Sequence, residues 1–243
     1  MPLPPHPPLA QYAATPAARQ RYVNALFDTG APFYDRIASA MSFGTGGWYR
    51  RDALRRHGLA PGHRLLDVAT GTGLVARAAA DLLGTEGRVI GLDPSRGMLN
   101  ESQRNGTACL VQGVGEALPF ADATFDFVTM GYAMRHVPDL EIAFREYRRV
   151  LRSGGRVLIL EISRPESAIG LGLARMYFRG LVPLVARIGT RSSGAEDMMK
   201  YYWDTIDQCV PPAAIVGALA TAGFDNPQRV VSSGIFSEYI ATA

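Results

Sequence analysis

The chain has 243 residues, 47% of them hydrophobic and 19% charged, which is enough to bury one full core and fits a single domain. Its 25 basic and 22 acidic residues leave a net charge of +3, with the basic ones scattered, and this argues against a nucleic-acid partner. Cys109 and Cys209 stand far apart, so neither a disulfide framework nor a cysteine metal site is indicated, and a reducing, cytoplasmic setting is expected.

Residues 1–18 are rich in proline and alanine, lack the basic start and apolar run of a secretory signal, and read as a disordered tail. From Arg19 to Met41 apolar residues recur at helical spacing (Tyr22, Leu26, Phe27, then Phe33, Tyr34, Ile37), and Gly30 with Pro32 predicts a break into two short helices. Trp48 to His57 predicts another helix, closed by Gly58, so that residues 19–60 form a helical cap. From Arg64 the rhythm becomes regular. Strands at Arg64–Ala69, Arg88–Leu92, Ala108–Gln112, Phe125–Met130 and Arg156–Glu161 are interspersed with helices at Leu74–Leu83, Met98–Arg104 and Leu140–Leu151. That alternation implies a parallel sheet with helices on both faces.

Helices predicted over Ala168–Ile188 and Glu196–Gln208 interrupt the alternation, and residues 165–210 read as a lid insertion near the carboxyl edge of the sheet, where ligands of open α/β folds bind. Arg175, Arg179 and Arg187 interrupt the most apolar stretch and argue against a membrane-spanning helix. Pro211-Pro212 opens a last helix, Gly223 closes it, and strands around Arg229–Val231 and Phe236–Ala241 join through Ser232-Ser233-Gly234 as a hairpin.

The run Leu65-Leu66-Asp67-Val68-Ala69-Thr70-Gly71-Thr72-Gly73 is a buried strand entering a glycine turn and then a helix. There the backbone can approach a ligand and present helix N-terminal N–H groups to it, although glycine also serves such turns for geometry alone. Asp93 ends the next strand, at the spacing where a carboxylate accepts from both hydroxyls of a ribose; its alternative role is to cap the helix starting near Arg96. Nicotinamide cofactors use the same two features.

The loop after the third strand separates the two cofactor classes. Gly115-Glu116-Ala117-Leu118-Pro119-Phe120, then Phe125-Asp126-Phe127-Val128, then Arg149-Val150-Leu151-Arg152-Ser153-Gly154-Gly155 together resemble the S-adenosylmethionine-dependent class I methyltransferases. Within them the chain resembles the ubiquinone/menaquinone C-methyltransferase (UbiE-type) family through Phe27-Asp28, Tyr34-Asp35, Met41-Ser42-Phe43-Gly44 with Trp48 and Arg50-Arg51, and the Asp67–Gly73 turn. The match continues through Gly91-Leu92-Asp93-Pro94-Ser95 with Met98-Leu99, Glu116–Phe120 and Arg135, covers roughly residues 20 to 165, and is loose in the tail. The resemblance implies an α/β, Rossmann-like class I methyltransferase fold whose mostly parallel seven-stranded sheet ends in an antiparallel hairpin. It also implies S-adenosylmethionine as cofactor, with Gly71, Thr72 and Gly73 on the methionine portion and Asp67 near the ammonium. Asp93 would take the ribose, Pro94 and Met98 the adenine face, Val114 and Gly115 the adenine edge, with Gly131 counted in the same site. The family commonly has Asp or Asn where Val114 stands, so cofactor binding through Gly115 and shape, at reduced affinity, is expected.

Methyl transfer needs alignment, exclusion of water and, for carbon or oxygen acceptors, removal of a proton. The candidates are Arg135, His136 and Tyr34. His136, where the family has Asn, reads as a base titrating near neutrality, and Arg135 as a stabiliser of the developing oxyanion. Plainer roles stand beside these: His136 capping the helix from Leu140 and Tyr34 packing in the core, with Trp48 and Arg50-Arg51 as ordinary packing and a solvated face, and Glu161, which could face the substrate, as a structural acid at a strand end. The 168–188 helix reads as a wall for a ring or prenyl chain, as ordinary packing, or as an interfacial membrane contact. No His or carboxylate cluster has metal-ligand spacing. The expected activity is methylation of a small apolar acceptor, foremost the ring carbon of a quinol or related aromatic, with the protein cytoplasmic or peripheral to the inner membrane and a homodimer left open. O- or N-methylation of a specialised metabolite, suggested by Ala38, Leu74 and His136, and a non-catalytic cofactor-binding role remain alternatives.

Overall fold

Two helices, α1 (Pro16–Met41) and α2 (Gly46–Arg56), precede the first strand. Then follow β1 (Arg64–Val68), α3 (Leu74–Leu83), β2 (Arg88–Asp93), α4 (Arg96–Arg104), β3 (Leu110–Gln112) and β4 (Phe125–Gly131). After a 3-10 turn at Met134–His136 come α5 (Leu140–Val150), β5 (Leu151–Ile162) and α6 (Ala168–Arg175), which runs on through a π-helical turn at Met176–Leu181. The chain closes with α7 (Ser193–Asp207), α8 (Pro212–Thr221), β6 (Asp225–Ser232) and β7 (Phe236–Thr242). This computed structural model describes residues 3–12, 15–184, 187, 193–232 and 234–243; parts of the expected tail, the end of the expected 168–188 helix and Ser233 of the hairpin turn lie outside them.

The seven strands form one sheet in the order β3-β2-β1-β4-β5-β7-β6. All neighbours are parallel except β5–β7 and β7–β6, which are antiparallel, as the terminal hairpin requires. Leu65, Phe127 and Leu158 point into one apolar cluster, and Leu66, Val128 and Ile159 into the other, because successive strand residues face opposite sides. Helices cover both faces, which is why the central strands read as unbroken apolar runs. The chain moves outward from β1 to β2 and β3, then returns to add β4 on β1's other side. The carboxyl ends of β1, β2 and β4 therefore surround the crevice where open α/β sheets hold ligands.

Two expectations are corrected here. Residues 19 to 41 form one helix rather than two: Thr15 caps its start, Pro32 sits inside it on an exposed position, and Gly30 serves close approach rather than a break. A Cβ at Gly30 would stand 2.5 Å from Met198 Sδ of α7, so its bare backbone admits that side chain. The start of the expected tail is also held against the domain. Leu140 N–H donates to Leu3 O at 3.0 Å, Val210 N–H to Pro5 O at 2.7 Å, and Tyr12 Oη to Asp204 at 2.7 Å, while His6 is buried. Proline-rich chain has few N–H groups to satisfy, and its carbonyls here take partners from α5, from the segment before α8 and from nearby side chains.

Candidate active site

The turn after β1 passes through Ala69, Gly71 and Gly73, all at positive φ. Space is open where a Gly71 side chain would stand. Gly71 N–H donates to Asp93 Oδ2 and Ser95 N–H to Asp93 Oδ1, both at 2.8 Å, so one carboxylate ties the turn after β1 to the turn after β2. Burial pushes Asp93 up to about 6, against the pull of those two bonds. Helix α4 is capped by Ser95, whose hydroxyl accepts from Met98 N–H at 3.1 Å, leaving Asp93 free of that task.

Asp93, Pro94 and Met98 line a cavity of about 100 Å³ with Gly71, Val114 and Gly115; Gly131, Tyr34 and His136 line it too. Gln20, Asn24 and Phe27 of α1 cover it. Ligand pockets generally start near about 300 Å³, so a ligand the size of a nucleoside enters only when α1 gives way. Two α1 carboxylates hold that helix down. Asp28 Oδ1 accepts from Ser95 Oγ at 2.6 Å and Gly97 N–H at 2.8 Å. Asp35 accepts from Thr72 Oγ1, from Arg77 Nη2 at 2.9 Å and from Asn105 Nδ2 at 3.2 Å. The seven-residue spacing puts both on one helix face.

Several expected site residues make bonds within the protein. Thr72 spends its hydroxyl on Asp35, and Gly73 caps α3. Asp67 is buried beneath the turn, accepts from Thr70 Oγ1 at 2.7 Å and Thr129 Oγ1 at 2.8 Å, and is pushed up to about 6 by burial. Arg135 is fully buried, its Nε 3.0 Å from Glu161 Oε1. Its other nitrogens donate to Thr205 Oγ1 at 2.6 Å, Tyr202 O at 3.1 Å and Tyr132 O at 3.2 Å, and its guanidinium lies 4.3 Å from the Tyr202 ring centroid. This guanidinium joins β5 to α7 and does not line the cavity.

His136 does line it. Both ring nitrogens are buried without a partner among the described residues, and the ring stacks on Tyr201 at 5.5 Å and meets Phe27 edge-on at 5.1 Å. Burial, with Arg135 and Arg19 nearby, holds its pKa well below the usual value, so it stays neutral at pH 7 instead of titrating there as expected. Helix α5 is capped by Asp139, not by His136.

A second cavity of about 460 Å³ adjoins the first, and Tyr34 and Tyr132 line both. Its wall is mostly apolar and aromatic, with Ile37, Met41 and Trp48 from the two N-terminal helices and Phe178, Met199 and Tyr202 from the segment of α6 and α7. Burial raises both shared phenols, so each stays a neutral hydroxyl. Tyr132 stands at φ +61 directly after β4. Asp28, Asp35 and Tyr132 were not singled out for a role from the sequence; the spacing of the two aspartates on an amphipathic helix was the available signal.

The chemistry of the residues around the smaller cavity suits S-adenosylmethionine, expected from the sequence, on three observations. The Asp93 carboxylate keeps lone pairs beyond its two backbone bonds, the Gly71 turn is open, and both His136 nitrogens are unspent. Among the described residues no group of three or more His, Cys, Asp or Glu side chains is arranged to hold a metal ion, and no helix is long and apolar enough to cross a membrane.

A model of the ubiE/COQ5 methyltransferase family matches residues 15–242. The ubiquinone/menaquinone biosynthesis C-methyltransferase UbiE of Syntrophotalea carbinolica is 34% identical over 88% of this chain and 91% of its own. The demethylmenaquinone methyltransferase of Geobacillus kaustophilus is 35% identical over 72% and 77% respectively, and the 2-phytyl-1,4-naphtoquinone methyltransferase of Synechococcus elongatus 37% over 68% and 74%. Among solved structures, a SAM-dependent methyltransferase from Thermotoga maritima, described as a possible histamine N-methyltransferase, superposes with a TM-score of 0.62 at 20% identity over 90% of this chain and 98% of its own. Phosphoethanolamine N-methyltransferase 2 of Haemonchus contortus, solved with S-adenosyl-L-methionine, gives 0.59 at 18% identity over 88% and 57%.

Proposed function

Since the chain belongs to the ubiE/COQ5 methyltransferase family and is an S-adenosylmethionine-dependent methyltransferase, we propose that it methylates a ring carbon of an apolar quinol or related aromatic acceptor seated in the larger cavity. The observation that carries this reading is the pair of adjoining cavities, one walled by Asp93 and the glycine turn, the other apolar, with Tyr34 and Tyr132 common to both. Two sites sharing a wall suit a direct displacement, which requires the reacting atoms side by side in a closed, dry space.

In this reading Asp93 holds the ribose hydroxyls, Pro94 and Met98 pack on the adenine, Gly71 lets the backbone come close, and Gly115, packed against Tyr147 and Val68, lines the adenine edge. S-adenosylmethionine, when bound, supplies a methyl group made electrophilic by its sulfonium. Tyr34 and the neutral His136 offer hydrogen bonds at the wall of the smaller cavity, while α1, α6 with its π turn, and α7 exclude water. The curated relatives named for quinone substrates support an acceptor of that class. An exposed apolar stripe, Ile169 and Leu173 of α6, Met176 and Leu181 of its π turn and Leu184 beyond, supports uptake of a lipid-soluble acceptor from a membrane surface.

The test is transfer of a labelled methyl group to a prenylated 1,4-naphthoquinol, with the product's methyl located by NMR. Label on a ring carbon is the expected result. Label on oxygen, or none on this acceptor with cofactor bound, overturns the reading.

A further inference from the structure

Among the described residues that line the larger cavity, Arg50 is the one charged side chain. Helix α2 carries three other arginines, and each has a carboxylate: Arg51 lies 3.9 Å from Asp81, Arg55 3.4 Å from Asp52, and Arg56 2.7 Å from Glu238. Among the described residues the Arg50 guanidinium makes no ion pair or hydrogen bond, and its Nε is buried without a partner. Its carbon lies 5.1 Å from the ring centroid of Tyr132, the residue at positive φ in the wall common to both cavities.

Arg50 is half-buried with its Nε sealed from water, and a guanidinium that lacks a hydrogen-bond or ion-pair partner there gains one from an oxygen brought in by a ligand. The contact with the Tyr132 ring fixes where that oxygen would stand, beside the wall facing the smaller cavity. We infer that Arg50 is the recognition group for the acceptor, donating to a ring hydroxyl or phenolate oxygen next to the carbon that is methylated, so that the enzyme selects aromatic acceptors with a free hydroxyl over their ethers. A guanidinium at that oxygen favours its ionised form, which enriches the neighbouring ring carbon in electron density. This inference rests on the phenolic acceptor proposed above and adds the residue that reads it.

The test uses the full chain saturated with S-adenosylhomocysteine, titrated under reducing conditions with a short-chain prenylated 1,4-naphthoquinol and, separately, with its dimethyl ether. Trp48, 72% exposed at the cavity mouth, supplies the fluorescence signal. Wild type should bind the quinol at least tenfold more tightly than the ether. Arg50→Met should abolish that preference by weakening the quinol alone, on the order of tenfold or more for a charge-assisted hydrogen bond, while Arg50→Lys keeps part of it. S-adenosylhomocysteine affinity unchanged in both variants confirms that they fold. Equal loss for both ligands in Arg50→Met, or loss for neither, overturns the role of Arg50 and leaves the quinol reading standing. Wild type that binds neither compound overturns the quinol reading and this inference with it.

Discussion

The Ser95 hydroxyl donates to Asp28 at 2.6 Å across 67 residues of chain, and it also caps helix α4 by accepting from Met98 N–H. Helix α1 is thus fastened to the same turn that holds Asp93. Asp28→Ala should loosen that fastening and speed S-adenosylhomocysteine dissociation by about fivefold, the equivalent of about 1 kcal/mol for an exposed charge-assisted bond. Stopped-flow release measures it, and a dissociation rate equal to wild type in Asp28→Ala and Asp35→Ala alike contradicts the fastening.

Cofactor affinity should depend on pH through Asp93. Its carboxyl is pushed up to about 6, and ribose hydroxyls donate more strongly to the ionised form than to the protonated one, so affinity should fall as pH drops below about 6 and stay flat above 7. For folding alone the sign reverses. A raised carboxyl stabilises the fold below its unfolded value, and that contribution is lost as pH rises through about 6; Asp67 behaves likewise. Calorimetric titration from pH 5 to 8 checks the binding limb, and Asp93→Asn should bind more weakly with no such slope.

Of this site, the strand, the glycine turn and the Asp93 position were legible in the sequence, because a tight turn and a strand-end carboxylate constrain residue types within a few positions of each other. The passage of α1 through Pro32 was not, since Gly30 and Pro32 read locally as a break, and the Met198 side chain that packs against Gly30 comes from far along the chain. The same holds for Arg135: nothing local to Met134-Arg135-His136 announces that Glu161 and Thr205 complete its partners.

Arg135 should therefore matter to stability before turnover. Arg135→Ala strands Glu161 in the core and should cost about 3–5 kcal/mol, while pairing Arg135→Met with Glu161→Leu should recover most of it. Denaturant midpoints measure both. A stable, folded Arg135→Ala protein without turnover would show instead that this guanidinium serves the chemistry.

Val114 is 40% exposed and lines the smaller cavity, where the family commonly carries Asp or Asn. Val114→Asp should tighten S-adenosylhomocysteine binding by about two- to tenfold, one added hydrogen bond. Calorimetry showing no tightening would remove Val114 from the adenine edge.

The exposed apolar stripe on α6 and its π turn can be tested for membrane contact. Ile169→Ser with Met176→Ser should reduce cosedimentation with phosphatidylglycerol-containing vesicles severalfold, leaving methylation of a short-chain, water-soluble quinol as it was. Equal vesicle binding by both proteins would sever the stripe from the membrane.

Tyr34 and Tyr132 belong to two cavities at once, and this makes the occupants of those cavities answer to each other. Whatever ordering one ligand imposes on the shared pair, the second finds already done, and the favour is reciprocal by thermodynamic necessity. Donor and acceptor should accordingly show synergistic rather than independent saturation. After methyl transfer each product holds the other in place, which shifts the slow event of the cycle toward departure of the pair.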